Sequence, residues 1–385
     1  MADGTSERTS ETPAAAVPSE PGSETPAPTG AVPETGEPWL LPPPGSPAAP
    51  ARPALLLWLG ILLVFGVGGL LLGQQELAAL IAISGVFVAA QAADRFPRWE
   101  WLYQVLSVVL VVMSASFFVT VGFILRSIDI GPQLRFALMA ISAASAVISV
   151  LTLLPQVANA LVRALFRVSE PSHSLRLAAR LTLFCLLFAL PGWFAFRDVF
   201  TVLMDQPERL LEGASFGGGL AGYVILALAS IGFLVRRTPA ESLRRLGVRP
   251  IGLPQIGLAV LGAGLLFAIN GGGEGLQKHY FPGLWSLDRR MTEAIAGHLG
   301  TRQALLVGLS AGIGEEITLR GALQPKLGLV LTSLLFATLH VQYTWFGMLM
   351  IFVFGLTLGA IRRWSNTSVA MAVHALYDIV AIFTT

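Results

Sequence analysis

The sequence predicts an all-α protein, a polytopic transmembrane helix bundle of about 10–11 spans. Two observations carry this prediction: 54% of the 385 residues are hydrophobic and 12% are charged, against about 25% charged in soluble domains. The mean hydropathy is +0.70. The net charge of +2 gives no reason to expect a nucleic-acid partner. The one cysteine, Cys185, excludes an intrachain disulfide and a cysteine-based zinc site.

The chain divides into three regions by composition. Residues 1–53 are rich in Pro, Ala, Glu, Ser and Thr, and they lack the apolar surface that a folded domain buries. We expect a disordered cytosolic tail here, and not a signal peptide, because no basic segment precedes an early apolar run. Residues 54–235 form an N-terminal transmembrane region of unknown role. Residues 236–385 form a core whose motifs lie within 303–383.

The spans are predicted from apolar runs, because a helix needs about 20 apolar residues to cross a bilayer. The candidates are Ala54–Gly73, Leu77–Ala93, Leu102–Leu125, Leu134–Leu154, Leu177–Phe196, Ala214–Val235, Ile251–Ile269, Gln303–Leu323, Leu327–Val341, Trp345–Ile361 and Thr367–Phe383. Two of them, Leu77–Ala93 and Leu327–Val341, are short. Glu274 in the NGGGEG stretch (Asn270–Gly275) is predicted to lie in a flexible exposed loop between spans.

Orientation follows the arginines of the short loops. They cluster at Arg163, Arg167, Arg176 and Arg180, then at Arg236, Arg237, Arg244, Arg245 and Arg249, and then at Arg362 and Arg363. If every candidate spans, all three loops lie on one side, which is therefore the cytoplasm, together with the amino terminus. Arginine far outnumbers lysine, and Ala, Gly, Leu and Pro are abundant, which is typical of GC-rich bacteria. We therefore expect a bacterial inner membrane protein.

Ionisable side chains interrupt the apolar runs near the carboxyl terminus. They are Glu315, Glu316, Arg320, His340, His374 and Asp378. A charge at membrane depth costs a few kcal/mol, so each is a functional candidate. Glu316 and Arg320 are one helical turn apart, which favours an ion pair. Glu315 is rotated about 100° from Glu316 and has no local partner, so we assign it to acid–base chemistry. The alternative is that both glutamates form one structural network with Arg320.

Two further spacings are helical. Phe336 lies one turn before His340 in FATLH, and His374 lies one turn before Asp378 in HALYD. The second spacing suits a histidine oriented by a carboxylate, a pair of metal ligands, two donors to one oxyanion, or a simple structural hydrogen bond. Helices that bring these groups together must approach closely, which small residues allow. The candidates for this are Gly308, Gly312, Gly314, Gly355 and Gly359.

These motifs resemble those of a known family. EEITLRG resembles the EExxxR signature of the CPBP family, the CAAX proteases and bacteriocin-processing enzymes also called Abi. FATLH resembles its FxxxH motif, and HALYD resembles its closing HxxxN/D motif. The three lie in the expected order between Gln303 and Phe383, about a fifth of the chain. The resemblance implies an intramembrane endopeptidase of the bilayer, with a hydrophobic or lipidated peptide or protein as its substrate.

Roles follow from the resemblance by position. It implies that Glu315 and His340 activate the water, and that His374 and Asp378 stabilise the oxyanion. The supporting positions are Glu316, Arg320 and Phe336. Glu315, His340, His374 and Asp378 would also suit a zinc shell with a bound water. We favour the metal-free mechanism without a cofactor, because the HExxH helix of zinc proteases is missing.

Two other functional classes stay open. An ion- or proton-coupled transporter predicts internal repeats with broken helices, and the sequence contains no convincing repeat. A non-catalytic membrane scaffold that binds a partner predicts the loss of a motif residue, whereas all main positions are filled. The oligomeric state is not indicated. One geometric problem arises within the protease interpretation. If Leu327–Val341 crosses fully, His340 nears the outer face while Glu315 lies at mid-membrane, unless that segment is short or the turn at Gly321–Lys326 is buried.

Overall fold

A computed structural model describes residues 51–205 and 216–384. Residues 1–50 of the predicted tail lie outside the described residues. In residues 51–205 and 216–384, helices are joined by short turns and there is no strand, which confirms the all-α prediction. The helices are α1 (Ala51–Leu71), α2 (Gln75–Arg95), α3 (Glu100–Ser127), α4 (Pro132–Leu151), α5 (Pro155–Phe166), α6 (His173–Asp205), α7 (Phe216–Ile231), α8 (Pro239–Leu246), α9 (Leu253–Tyr280), α10 (Pro282–Ala296), α11 (Thr301–Glu316), α12 (Gln324–Leu327), α13 (Leu329–Thr338), α14 (Trp345–Trp364) and α15 (Thr367–Thr384).

The long apolar helices fit an integral membrane protein. In the described part of the chain, eight helices are long and apolar enough to cross a membrane: α1, α2, α3, α4, α6, α9, α14 and α15. Large apolar side chains such as Leu70 and Leu261 remain 69% and 74% exposed on their outer surfaces, as lipid contact requires. The predicted spans at Ala214–Val235 and Leu327–Val341 form the shorter apolar helices α7 and α13.

The predicted loop at Asn270–Gly275 is wrong, because α9 continues through it to Tyr280. Glycine has a low intrinsic helix propensity, but tertiary packing overrides it here. A Cβ atom on Gly273 would lie 2.3 Å from Met350 Cε, so the missing side chain lets α14 approach. The exposed Glu274 is part of the helix, and its Oε1 accepts a hydrogen bond of 3.0 Å from Trp285 Nε1.

Glycines bring α11 and α15 into close contact. A Cβ atom on Gly312 would lie 2.5 Å from the backbone nitrogen of Ala375, and one on Gly308 would lie 2.5 Å from Ile379 Cγ1. Neither distance leaves room for a side chain. The predicted role of these small residues in close helix packing is therefore confirmed. It places the end of α11 beside the middle of α15.

We expect Gly312→Ala to lower the free energy of unfolding by about 1–3 kcal/mol, because the added methyl group meets backbone that cannot move aside. Thermal unfolding in detergent measures the effect. The matched control is Gly264→Ala, since a Cβ atom at Gly264 has nothing within 4 Å. The control should be neutral or stabilising, because alanine favours helix more than glycine. Equal melting temperatures for the two variants would contradict this account.

The connection between α11 and α13 is irregular. A π-helical turn (Ile317–Leu323) follows α11, and Gly328 adopts φ 83°, a backbone conformation that favours glycine. Arg245 satisfies the freed backbone by donating to the carbonyls of Gly321 and Ala322, each at 3.0 Å. The ten residues of α13 then extend only about 15 Å. The predicted segment at Leu327–Val341 is therefore short, which is one of the conditions under which His340 and Glu315 can lie at the same depth.

Asp94 connects the N-terminal helices to the core. Its carboxylate accepts hydrogen bonds from the backbone nitrogens of His173 at 2.7 Å and Ser174 at 3.2 Å, at the start of α6. An anion is favoured at a helix N-terminus, where backbone N–H groups are unpaired. Arg236, in the turn before α8, contacts the same carboxylate at 3.3 Å. The Asp94 side chain therefore links α2 to the start of α6 and to the turn before α8.

Candidate active site

A buried ionic centre joins the end of α11 to α15. Glu316 Oε1 lies 3.0 Å from Arg320 Nη1 and 3.0 Å from His374 Nδ1. The side chains of Glu316 and Arg320 are fully buried. The predicted pairing of Glu316 with Arg320 is therefore confirmed, while the contact with His374 was not predicted. Glu316 balances the charge of Arg320 and orients His374.

Phe336 lies at the middle of this centre. The Arg320 guanidinium lies over the Phe336 ring, 4.4 Å from its centroid, a cation–π geometry. The same ring makes edge contacts with His340 at 4.9 Å and with His374 at 5.9 Å between centroids. Arg320 Nη2 also points to the carbonyl of Gly355 at 3.4 Å. Phe336 thus fixes both histidines relative to Arg320.

The local contacts of His340 define its tautomer. Its Nδ1 lies 2.9 Å from the carbonyl oxygen of Phe336. Because a carbonyl can only accept, Nδ1 carries the proton and donates it. In the neutral ring, Nε2 then has a free lone pair. His340 can therefore accept a hydrogen bond from a water through Nε2.

The segment after His340 is held by two other helices. Asp288 on α10 accepts from the backbone nitrogen and from the hydroxyl of Thr344, each at 2.6 Å. Trp193 on α6 donates to the carbonyl of Tyr343 at 2.8 Å. These bonds fix the turn between α13 and α14. His340 is therefore anchored by α13 on one side and by this turn on the other.

Glu315 has a carboxylate oxygen without a partner. The residue is half-buried, and its Oε2 is buried with no hydrogen bond. Glu315 lies close enough to interact electrostatically with Arg320, His374 and Asp378. An unsatisfied buried carboxylate oxygen is costly, which favours a functional explanation. The oxygen is available to accept a hydrogen bond from water.

His374 lies between two carboxylates. Its Nδ1 contacts Glu316, and its Nε2 lies 3.4 Å from Asp378 Oδ2. The second distance is too long for a good hydrogen bond. The doubly protonated ring is the form that donates at both nitrogens. His374 Nε2 therefore makes no good hydrogen bond to the described residues, and it can donate to an oxygen atom of a bound molecule.

The predicted site residues are gathered into one region, although they come from separate segments. Glu315, Glu316, Arg320, His374 and Asp378 interact directly or electrostatically, and His340 joins them through Phe336. Tyr223 on α7 and Glu76 on α2 were not predicted from the sequence. The Tyr223 carbonyl accepts a hydrogen bond of 3.1 Å from Thr318. Tyr223 is a polar residue in an apolar segment, whereas Glu76 follows Gln74 and Gln75 outside the predicted span and carries no such signal.

The candidate zinc ligands are not arranged as a metal shell. Among the described residues, no three His, Cys, Asp or Glu side chains are grouped so that they could hold a metal ion. Nδ1 of His374 is held by Glu316, an arrangement that is also common for metal-ligating histidines. The choice between the metal-free mechanism and a zinc shell of Glu315, His340, His374 and Asp378 therefore stays a prediction.

Two comparisons with known proteins match part of the chain. Residues 298–380 match the model of a family described as type II CAAX prenyl endopeptidase Rce1-like. The uncharacterized protein YpbD of Bacillus subtilis (strain 168) is 30% identical over 104 residues, which cover 26% of this chain and 55% of that protein. The chain thus spans about half the length of this curated relative. No solved structure matches the chain.

Proposed function

We propose that this chain is a CPBP-type intramembrane endopeptidase that uses Glu315 to activate water, because residues 298–380 match the model of the Rce1-like type II CAAX prenyl endopeptidases. The match agrees with the resemblance of the three motifs to that family. Oε2 is buried and unpartnered in both Glu315 and Glu316, but Glu316 Oε1 contacts Arg320 and His374. The observation that carries the mechanism is therefore that Glu315 is the glutamate not engaged in the ionic centre. A carboxylate placed in this way can take a proton from water.

In the proposed reaction, Glu315 and His340 Nε2 accept the two hydrogen bonds of one water. Glu315 removes a proton while the water oxygen bonds to the carbonyl carbon of the peptide, which forms a tetrahedral oxyanion. Glu315 then gives this proton to the amide nitrogen as the carbon–nitrogen bond breaks. The products are a carboxylic acid and an amine, and Glu315 returns to its starting state.

The oxyanion is stabilised on the α15 side of the site. His374 Nε2 donates to it in the doubly protonated ring, whose Nδ1 is held by Glu316. Asp378 donates to the oxyanion only in its protonated form, and otherwise it orients Nε2 of His374. Glu316, Arg320 and Phe336 hold these groups in place and do not react.

The proposed substrate is a hydrophobic or lipidated peptide or protein of the membrane. The exposed apolar surfaces of the long helices support entry from the bilayer. A site enclosed by helices also keeps lipid away from the reacting water. The inner membrane of a bacterium, with a cytosolic amino terminus, is the proposed location.

We expect cleavage without a metal ion. A panel of membrane-tethered peptides is incubated with purified protein in detergent, with and without a chelator. Cleavage should continue at an unchanged rate in the chelator, since in the proposed reaction Glu315 activates the water without a metal ion. Cleavage that stops on chelation and returns with zinc would instead support a metal shell. No cleavage of any peptide would reject the protease and favour the non-catalytic scaffold.

A further inference from the structure

The helix α10 contacts the segment that carries His340, although it lies outside the family-matched residues 298–380. It has 15 residues, which is too few to cross a bilayer, and its composition suggests no role. Asp288 lies in the middle of this helix and is half-buried. Its carboxylate points at the turn between α13 and α14, which begins at His340.

Both carboxylate oxygens of Asp288 accept hydrogen bonds. Oδ1 accepts from the backbone nitrogen of Thr344 at 2.6 Å. Oδ2 accepts from the Thr344 hydroxyl at 2.6 Å and from Gln277 Nε2, on α9, at 2.6 Å. The donors are in the interior, since Thr344 is 4% exposed and Gln277 is 5% exposed. Hydrogen bonds to an ionised carboxylate are stronger than neutral ones, so three such bonds hold Thr344 firmly against α9 and α10.

The carboxylate also fits the start of α14. Thr344 is the N-cap of this helix, and its side chain accepts from the backbone nitrogen of Gly347 at 3.4 Å. A Cβ atom on Gly347 would lie 2.8 Å from Asp288 Oδ2, so only a residue without a side chain leaves room for the carboxylate. An anion is stabilised at a helix N-terminus. Asp288 therefore fixes where α14 begins.

The bonds of Asp288 continue to His340 through the turn. The backbone nitrogen of Tyr343 donates to the carbonyl of His340 at 3.1 Å, which closes a four-residue turn. The Tyr343 carbonyl is held by Trp193 at 2.8 Å. The Tyr343 hydroxyl lies 3.5 Å from Thr292 Oγ1, one helical turn after Asp288 on α10. The helix α10 thus contacts both residues that follow the turn, and His340 is the first residue of that turn.

We propose that Asp288 is a positioning residue for His340, because it holds Thr344 and thereby fixes the turn that His340 begins. The inference rests on the proposed function, in which His340 Nε2 accepts a hydrogen bond from the reacting water. Asp288 itself does not touch the reacting atoms. The family-matched segment then contains the reacting groups, while α9 and α10 align one of them.

The test exchanges donor and acceptor between positions 288 and 277 in the full-length protein. Asp288→Asn keeps the shape, but its amide nitrogen then faces another N–H donor, and two donors cannot bond. It should lower kcat about 10- to 100-fold, because small misplacements of a reacting group cost this much. Gln277→Glu places two carboxylates together and should lower kcat about tenfold. KM should change less than about threefold in both variants, since substrate binding is not affected.

The double variant distinguishes positioning from a general loss. Asp288→Asn combined with Gln277→Glu restores one donor and one acceptor with their places exchanged, so kcat should return to within about threefold of the wild type. Losses that multiply in the double variant would overturn the proposal. So would wild-type kcat in Asp288→Asn, or a loss no larger than the loss of folded protein. Glu293→Gln removes an exposed carboxylate from the same helix and should keep the wild-type kcat.

A second measurement does not depend on activity. Nitrogen-15 NMR of histidine-labelled protein shows which ring nitrogen carries the proton, and the His340 signals are assigned by their loss in His340→Gln. In the wild type His340 should be protonated at Nδ1, which donates to the Phe336 carbonyl. Asp288→Asn should give a mixture of both tautomers, because a loosened turn lets the ring leave that carbonyl. The double variant should restore the wild-type spectrum.

The two measurements separate the inference from the proposed function. An unchanged His340 spectrum in Asp288→Asn overturns the positioning role, whatever the activity. Failure of the wild type to cleave any peptide rejects the proposed function instead. In that case the His340 spectra still decide whether Asp288 holds His340 in place.

Discussion

Glu315→Gln is expected to lower kcat by about 10²- to 10⁴-fold while the protein remains folded. That range is the usual contribution of a general base. Glutamine has nearly the same shape, but its amide cannot take a proton from water. Because Glu315 Oε2 has no hydrogen-bond partner in the structure, the substitution breaks no structural bond there. Initial rates on a cleaved peptide give kcat, and thermal unfolding in detergent shows whether the fold is retained.

Glu274→Gln is the control for this substitution. Glu274 is exposed on α9, and its Oε1 accepts a hydrogen bond from Trp285 on α10. It should keep the wild-type kcat, which shows that loss of a glutamate charge alone does not abolish cleavage. Wild-type activity in Glu315→Gln would remove Glu315 from the reaction and make Glu316 the next candidate for the base.

Glu316→Gln is expected to lower the free energy of unfolding by about 3–5 kcal/mol. The substitution leaves the fully buried Arg320 without its countercharge, and breaking a buried pair by removing one partner costs this much. His374 also loses the carboxylate that orients its Nδ1. Activity should fall together with stability, in contrast to Glu315→Gln. Chemical or thermal unfolding in detergent gives the measurement.

The exposed pair of Arg289 and Glu293 is a matched control. Arg289 and Glu293 are four residues apart, like Glu316 and Arg320, and Arg289 Nε lies 2.7 Å from Glu293 Oε1. Both side chains are about half exposed, in contrast to the buried pair. Exposed pairs contribute little to stability because water solvates each charge alone. Glu293→Gln should therefore leave the melting temperature nearly unchanged. A Glu316→Gln variant that is inactive but as stable as the wild type would assign Glu316 to the chemistry.

The local part of the site could be predicted because helical spacing is a property of sequence. Residues four apart share a helix face, so the spacing alone predicts the Glu316–Arg320 pair. The glycines of α11 were likewise recognised as points of close packing. The spacing also left Glu315 without a local partner, and the structure leaves its Oε2 unpaired.

Other features escaped prediction because they depend on neighbours in space. The amphipathic helices α5, α8 and α10 are too short and too polar to be identified as spans. The glycine-rich end of α9 resembles a loop, but α14 packs against it and keeps it helical. Hydropathy measures the preference for lipid and does not report such contacts.

By itself the sequence determined the membrane class, the all-α fold and the three motifs with their family resemblance. Only the tertiary structure decided that Glu316 orients His374, and that Phe336 contacts Arg320 and both histidines. The reason is physical. Composition and helical period act within one segment, whereas these contacts depend on how closely separate helices pack and where the chain turns between them.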